Sequence, residues 1–330
     1  MRSAVTLPKA HLHIHLDGAA RPETMAELAG RAGLTGTSFG TCTDWPSFLG
    51  EMVAGFLAIS TLEDLTRICR EFVEDEAAQG CLYTEAIIAP LVWAKLGSPD
   101  EVFASIREAT FGAAEELGVE VRFQVAALRD LPPEVAEDSA RFAAEHAGDG
   151  IVAFGLAGSE APFPPQPFAR AFAVAREAGL LSVPHAGEMA GADSVEAAID
   201  LLGADRIAHG VRAVEDPAVL RRLADEKITC DVCPTSNVRL GVAADIGSHP
   251  IARMLAAGVP VTINADDPLQ FGSGAGNEYE IVRRTFGLSD DDLAAIARTS
   301  VHASGATAET KARMLAGIEA WLALQPAEVG

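Results

Sequence analysis

The feature that most constrains the fold is a repeated alternation of short apolar runs with longer amphipathic segments. Eight runs are typical of strands: LHIHL (12–16), CLYTEAIIAP (81–90), EVRFQVAAL (120–128), GIVAFGLAG (150–158), LLSVPHAGE (180–188), RIAHG (206–210), KITCDVCP (227–234) and GVPVTINADDP (258–268). Connecting segments such as 100–118, 167–179 and 250–258 place apolar residues at helical spacing and end at glycine. Eight strand and helix units predict an α/β protein with a (β/α)8 TIM barrel.

The connection between the first two predicted strands is too long for a single helix. It spans residues 17–80, and its apolar stretch at 44–60 predicts an extra helical lid segment over the barrel mouth. A last helix is expected at 308–325, on the outside of the barrel. Because no linker, internal repeat or low-complexity run divides the chain, we expect residues 1–330 to form a single domain.

Charge and composition exclude several classes of partner. The formal net charge of −22 would repel a nucleic-acid backbone, so no nucleic-acid partner is expected. The sequence has neither a bilayer-spanning apolar stretch nor an N-terminal apolar signal core, so we expect no membrane association. Five cysteines without framework spacing suit a reducing compartment, and a cytoplasmic protein is the expectation. No protein partner can be inferred.

Polar residues concentrate where the predicted strands end, which is where the chemistry of such barrels lies. The first strand ends with His13, His15 and Asp17, the fifth with His185 and Glu188, the sixth with His209, and the eighth with Asp266 and Asp267. His13 and His15 are two apart, so both side chains can point into the barrel. Three histidines and a carboxylate from separate strand ends predict a site for a cation such as zinc.

For four other residues the sequence favours a structural role. Alternation puts His11 on the same face as His13 but deeper, so we assign it to barrel packing. His249 is expected to start a helix ahead of Pro250. Cys230 and Cys233 are three apart in a predicted strand and therefore point to opposite faces, which favours packing over a shared metal.

Five motifs carry a resemblance to a known family. HLHIHLDG, HAGE, RIAHG, CPTSN and NADDP occur in this order and at these strand ends. The set resembles the adenosine deaminase family of the amidohydrolase superfamily over about Pro8 to Pro268. The resemblance implies one zinc ion per chain, held by His13, His15, His185 and Asp266.

The same resemblance implies roles for the remaining site residues. Glu188 would protonate the purine ring at N1, and His209 would position or help deprotonate the attacking water. The implied substrate contacts are Gly158 at N3, Asp267 near N7 and Asp17 at the ribose 5′-hydroxyl. A zinc-activated water and a ring-protonating acid together give hydrolytic deamination with release of ammonia. The implied enzyme is a hydrolase acting on cyclic amidines.

Two patterns separate this sequence from other deaminases and amidohydrolases. Binuclear amidohydrolases often carry a bridging lysine at the end of the fourth strand, whereas FGLAGSE (154–160) has none, so a single metal is expected. Cytidine and tRNA deaminases use an H-x-E and P-C-x-x-C pattern, which is absent.

The substrate follows less directly than the reaction. The family's DLAGDE is here GLAGSE (155–160), and its RYSP-like segment is IIAP (87–90), so charge is lost near the mouth. Adenine deaminases tend to read HIEGT where this chain has HLDGA, so Asp17 favours a nucleoside over a free base. Adenosine or deoxyadenosine, giving inosine or deoxyinosine, leads. 6-Aminodeoxyfutalosine follows closely, and adenine is third. A catalytically silent barrel relative is disfavoured because neither a ligand nor the acid is missing.

Overall fold

The computed structural model describes residues 1–324 and contains the predicted barrel. Within this range the strands are β1 (Lys9–His15), β2 (Cys81–Ile88), β3 (Glu120–Leu128), β4 (Ile151–Ala157), β5 (Leu181–Ala186), β6 (Arg206–His209), β7 (Thr229–Val232) and β8 (Val261–Ile263). They pair in parallel in sequence order. The end of β8 returns to β1, because the Asp266 N–H donates to His13 O at 3.1 Å and the His15 N–H to Asp266 O at 2.9 Å. The (β/α)8 prediction is confirmed.

Helices cover the outside of the barrel. Within residues 1–324 they are α1 (Pro22–Arg31), α2 (Trp45–Ala58), α3 (Leu62–Ala78), α4 (Pro99–Leu117), α5 (Pro133–Glu145), α6 (Ala169–Glu177), α7 (Ala192–Leu202), α8 (Pro217–Glu226), α9 (Pro234–Arg239), α10 (Ile251–Ala256), α11 (Pro268–Phe271), α12 (Ala275–Phe286), α13 (Asp290–Ala303) and α14 (Ala308–Ala323). Short 3-10 helices occupy Asp17–Ala19, Pro90–Trp93, Ala147–Asp149, Gln166–Phe168, Val211–Glu215 and Ile246–Ser248. The predicted domain and last helix extend into residues 325–330, which lie outside the described residues. In the described part of the chain, no helix has the length and apolarity to cross a bilayer.

The helix ends follow local signals in the sequence. At the start of α4, the Ser98 side chain accepts from the Glu101 N–H, and the Glu101 side chain accepts from the Ser98 N–H. This reciprocal cap satisfies two backbone donors that a helix start leaves free. The helix ends at Gly118, whose φ of 68° is a conformation that glycine adopts without a steric penalty.

The connection between β1 and β2 forms three helices, α1, α2 and α3, of which α2 corresponds to the predicted lid at 44–60. The first turns of helix α2 are held by hydrogen bonds to the loop before the helix and by a ring contact with α11. The Glu51 carboxylate accepts from the N–H groups of Gly40 and Thr41 at 2.8 and 2.9 Å, and the Phe48 ring stacks on Phe271 with centroids 5.4 Å apart. Arg239 of α9 donates to the carbonyl of Cys42. The predicted lid therefore packs onto the mouth of the barrel.

A register shift in β1 changes the expected orientation of His11. His11 pairs with Thr84 and His15 pairs with Ile87, and the shift lies between His11 and Ile14. Thr84 and Ile87 are three apart in β2 and so face opposite sides, which puts His11 and His15 on opposite faces too. The prediction that His11 shares a face with His13 is therefore wrong. Its Nδ1 lies 2.7 Å from Glu76 Oε2 of helix α3, outside the barrel.

Charged residues fill the barrel interior below the strand ends. The Arg206 guanidinium donates to Glu85 Oε2 at 2.5 Å and to Asp231 Oδ2 at 2.9 Å, and all three side chains are buried. Thr262 donates to the second Asp231 oxygen at 2.7 Å. Buried ions need such pairing, because an unpaired charge in this position would be strongly destabilising. The cluster links β2, β6, β7 and β8 directly beneath the candidate site.

Candidate active site

Four predicted metal ligands come together at the carboxyl ends of β1, β5 and β8. One donor atom from each of His13, His15, His185 and Asp266 lies within 4.8 Å of every other. Asp266 Oδ1 is 3.2 Å from His13 Nε2 and 3.5 Å from His15 Nε2. The latter nitrogen is 3.4 Å from His185 Nε2. The donor atoms therefore converge on one small volume.

The donor set suits zinc. Three imidazole nitrogens with one carboxylate oxygen is a combination that zinc accepts. His13 Nε2 is buried without a hydrogen-bond partner among the described residues, which is costly unless a ligand occupies its lone pair. Burial, and then the neighbouring histidines, holds the pKa of His185 well below its ordinary value, so this imidazole has a free lone pair. The residues therefore fit a divalent zinc ion.

Two of these side chains are oriented by β7 and the turn after it. Ser236 donates to Asp266 Oδ2 at 2.6 Å, which leaves Oδ1 directed at the histidines. The backbone oxygen of Asp231 lies 3.4 Å from His13 Nδ1. Partners of this kind fix the rotation of metal-binding side chains. Ser236 belongs to the CPTSN motif, to which the sequence assigned no specific contact.

Two strand-end residues reach the site through unusual backbone conformations. His209 and Asp266 have φ angles of 66° and 64°, which are uncommon for residues other than glycine. Ala208 pairs with His185, so the pleat alone would direct the next residue, His209, away from the interior. The positive φ instead brings His209 Nε2 to 3.5 Å from Glu188 Oε1 and 3.8 Å from Asp266 Oδ2. Burial, and then the charge of His13, lowers the pKa of His209 to about 3.

Glu188 is buried beside the ligand cluster. Burial, followed by the charges of Asp266 and Glu160, raises its pKa well above the ordinary value of a glutamate. A raised pKa favours the protonated carboxyl, which can deliver a proton to a bound molecule. The direction of this shift is the one that the predicted acid role calls for.

The turn that carries Glu188 is held by a second buried carboxylate, Glu160. Its two oxygens accept from the N–H groups of Gly187, Glu188, Met189 and Ala190 at 2.6, 3.0, 2.7 and 2.9 Å. They also accept from the Ser194 hydroxyl at 2.5 Å. Glu160 stands in the GLAGSE segment, but only the three-dimensional structure connects it to the HAGE turn. One side chain thus fixes the backbone of the acid.

The predicted substrate-contact residues line the same cavity. Asp267 Oδ1 is buried and lacks a hydrogen-bond partner among the described residues. A Cβ on Gly18 would lie 1.9 Å from that oxygen, so only glycine allows Asp267 its position. Burial, and then Asp266 and Asp17, raises the pKa of Asp267 well above its usual range, which favours a protonated carboxyl that can donate a hydrogen bond. Gly158, with φ of 99°, and Asp17 also face the cavity.

Above this polar floor, the cavity has a largely apolar wall. Its volume is about 350 Å³. We define the apolar wall as Trp45, Phe48, Met52, Val53 and Phe56 of α2, Val92 and Trp93 of the 3-10 helix that follows β2, and Leu128 of β3. Ile87 and Ala89 of the IIAP segment line it too, which agrees with the loss of charge that the sequence indicates there. Among the described residues, no lysine or arginine lines this cavity.

Comparison with known proteins identifies the family. The family model for adenosine deaminase matches residues 8–321, and the chain therefore belongs to the adenosine deaminase family. It is a deaminase of the adenosine or adenine type, within the hydrolases.

Relatives and a solved structure support the assignment. A putative adenosine/adenine deaminase of Streptomyces coelicolor is 41% identical, with 98% of each chain covered. An adenine deaminase of a Chelativorans species is 38% identical over 95% of this chain and 98% of the relative. The crystal structure of an adenine deaminase from Arthrobacter aurescens superposes with a TM-score of 0.89 at 31% identity, covering 96% and 99% of the two chains.

Proposed function

We propose that this protein catalyses the hydrolytic deamination of adenine to hypoxanthine, with release of ammonia. The proposed enzyme uses one zinc ion per chain. The observation that carries the proposal is the convergence of the four-residue ligand cluster with buried Glu188 at the floor of a single cavity. A nucleophilic water and a proton donor are the two groups that this reaction needs.

Each group on the floor has a part in the proposed reaction. When zinc is bound by His13, His15, His185 and Asp266, it lowers the pKa of a bound water toward neutrality. Glu188 protonates the purine at N1, which makes the carbon that bears the amino group more electrophilic. The buried carboxyl of Asp267 contacts N7, and the Gly158 N–H contacts N3. His209 lies beside Glu188 and contacts the attacking water.

The comparisons change the order of substrates that the sequence favoured. Asp17 led us to expect a nucleoside, whereas the relatives of this chain include named adenine deaminases at 31% and 38% identity. We therefore place the free base first. Because no lysine or arginine of residues 1–324 lines the cavity, a phosphate would enter it without a cationic partner from this part of the chain, which argues against nucleotides.

A nucleoside with a bulky, weakly polar 5′ group is the second candidate. The apolar wall favours it, since Trp45, Phe48 and Trp93 offer aromatic surface beyond the purine position. 6-Aminodeoxyfutalosine is such a compound. In this reading Asp17 contacts the sugar.

A substrate panel tests the proposal. Zinc-loaded protein is given adenine, adenosine, deoxyadenosine, AMP and 6-aminodeoxyfutalosine, and the 6-amino purine absorbance and released ammonia are followed. We expect adenine to have the highest kcat/KM and AMP to remain unchanged. A higher kcat/KM for a nucleoside than for adenine would show that the nucleoside is the preferred substrate. If none of the compounds were deaminated, the proposed reaction would be contradicted.

A further inference from the structure

A chain of buried polar groups leads from the backbone of α10 to the candidate site. The Ile251 N–H donates to His249 Nδ1 at 3.1 Å. On the other side of the ring, His249 Nε2 lies 3.1 Å from Asn237 Oδ1. The Asn237 amide nitrogen lies in turn 3.2 Å from His209 Nδ1. All three side chains are buried, and the opposite edge of His209 faces Glu188.

The direction of every hydrogen bond in this chain follows from its first donor. A backbone N–H can only donate, so His249 Nδ1 accepts and carries no proton. Burial lowers the pKa of His249 to about 4, so the ring is neutral near pH 7 and its proton is on Nε2. That N–H donates to Asn237 Oδ1, which turns the amide N–H group toward His209 Nδ1. His209 Nδ1 must then accept.

We infer that His249 and Asn237 are positioning residues that hold neutral His209 in the tautomer with its proton on Nε2, facing the cavity. The functional consequence rests on the proposed deaminase reaction. An imidazole in this tautomer has no lone pair directed at the cavity, so it donates a hydrogen bond to the attacking water and does not remove its proton. The resemblance implied that His209 positions the attacking water or helps to deprotonate it. The hydrogen bonds from His249 through Asn237 to His209 support the positioning role.

The tautomer itself can be measured without any turnover. Zinc-loaded protein labelled with 15N-histidine is examined by long-range 1H–15N correlation, with the His209 signals assigned from the His209→Gln spectrum. We expect a protonated Nε2 and an unprotonated Nδ1. Asn237→Asp places a carboxylate opposite Nδ1, which should move the proton to Nδ1. A wild-type spectrum with the proton on Nδ1, or an unchanged tautomer in Asn237→Asp, would overturn the inference.

Kinetics with matched variants separate positioning from packing. We expect Asn237→Asp to lower kcat about 10- to 100-fold with KM within about threefold, while zinc content stays at one per chain. Asn277→Asp, the same change on the exposed face of α12, should alter neither kcat nor the His209 signals.

Variants at His249 provide the second arm. His249→Gln keeps a donor near the Nε2 position and should preserve the tautomer, whereas His249→Phe should lose it and lower kcat. If the Phe variant remains folded and keeps the wild-type His209 signals, the inference is wrong. Failure of the protein to deaminate any purine would leave the spectra interpretable, so the two proposals fail separately.

Discussion

The floor and the apolar wall of the cavity are built in different ways. The floor residues stand at strand ends and are fixed by short buried hydrogen bonds, such as Ser236 to Asp266 at 2.6 Å. The wall comes mainly from α2 and the 90–93 segment, which lie outside the barrel strands, with Leu128 of β3, and its member Val53 is 57% exposed. The comparison suggests that the floor determines the reaction and the wall determines which purine enters. Changes to the floor should therefore cost far more activity.

The largest effect is expected from loss of a metal ligand. His13→Ala removes one nitrogen of the ligand cluster, so the protein should retain no stoichiometric zinc and its deaminase activity should fall to background. His302→Ala, at an exposed position of α13, is the matched histidine variant. It should keep one zinc per chain, measured by atomic absorption, and zinc loss there would show that the loss in His13→Ala is not specific to the ligand cluster.

Removal of the acid comes next. Glu188→Gln keeps the shape of the side chain but has no proton to give, so kcat should fall about 10²- to 10⁴-fold with zinc still bound. Glu196→Gln on the exposed face of α7 controls for the charge change. Steady-state assays of both variants with adenine measure the effect. Near-normal kcat in Glu188→Gln would mean that another group protonates the ring.

A smaller effect is expected at Glu160, which supports the floor without touching the cavity cluster. Glu160→Gln replaces one acceptor by an amide that faces backbone N–H groups, so the free energy of unfolding should fall by about 1.5–3 kcal/mol. Because the turn of Glu188 loosens, kcat should fall about tenfold, which corresponds to a rise of about 1.4 kcal/mol in the activation free energy. Urea unfolding and kinetics test both, with exposed Glu177→Gln for comparison. An unchanged free energy of unfolding and an unchanged kcat would show that the turn keeps its conformation without the Glu160 carboxylate.

The wall should give the smallest effect. Phe48→Ala removes aromatic surface, so KM should rise roughly three- to tenfold with kcat nearly constant, and more for a nucleoside with a bulky 5′ group than for adenine. Leu57→Ala on the same helix is 50% exposed and should leave KM unchanged. A drop in kcat as large as that of Glu188→Gln would remove the distinction between floor and wall.

The fold was largely predictable from the sequence because strand and helix periodicities reveal barrel units directly. All eight predicted runs contain or overlap the observed strands, and β3 matches at both ends. Alternation failed in β1, where the register shift turns His11 outward, since a bulge changes pairing without an evident local signal. His249 lies at the start of α10 as expected, where its Nδ1 accepts from the Ile251 N–H, but its contact with Asn237 was not expected.

The candidate site was predictable where residues stand at strand ends. The structure brings all nine predicted site residues to one cavity or its immediate floor, although their roles stay proposals. Glu160, Ser236 and Asn237 were missed as contacts because Gly187, Asp266 and His209, which they contact, are 27 or more residues away in sequence. The placement of CPTSN directly after a strand was the signal that could have drawn attention to Ser236 and Asn237.

The central claim is that a metal and an acid on the barrel floor together deaminate a 6-aminopurine. The most direct test is a zinc titration of metal-free protein with adenine, in which bound zinc, hypoxanthine and ammonia are measured together. We predict that activity rises in proportion to zinc, saturates at one ion per chain, and yields hypoxanthine and ammonia in equal amounts. The central claim would be contradicted by full activity in metal-free protein. It would also be contradicted if, at full zinc occupancy, neither adenine nor any other purine of the panel were deaminated.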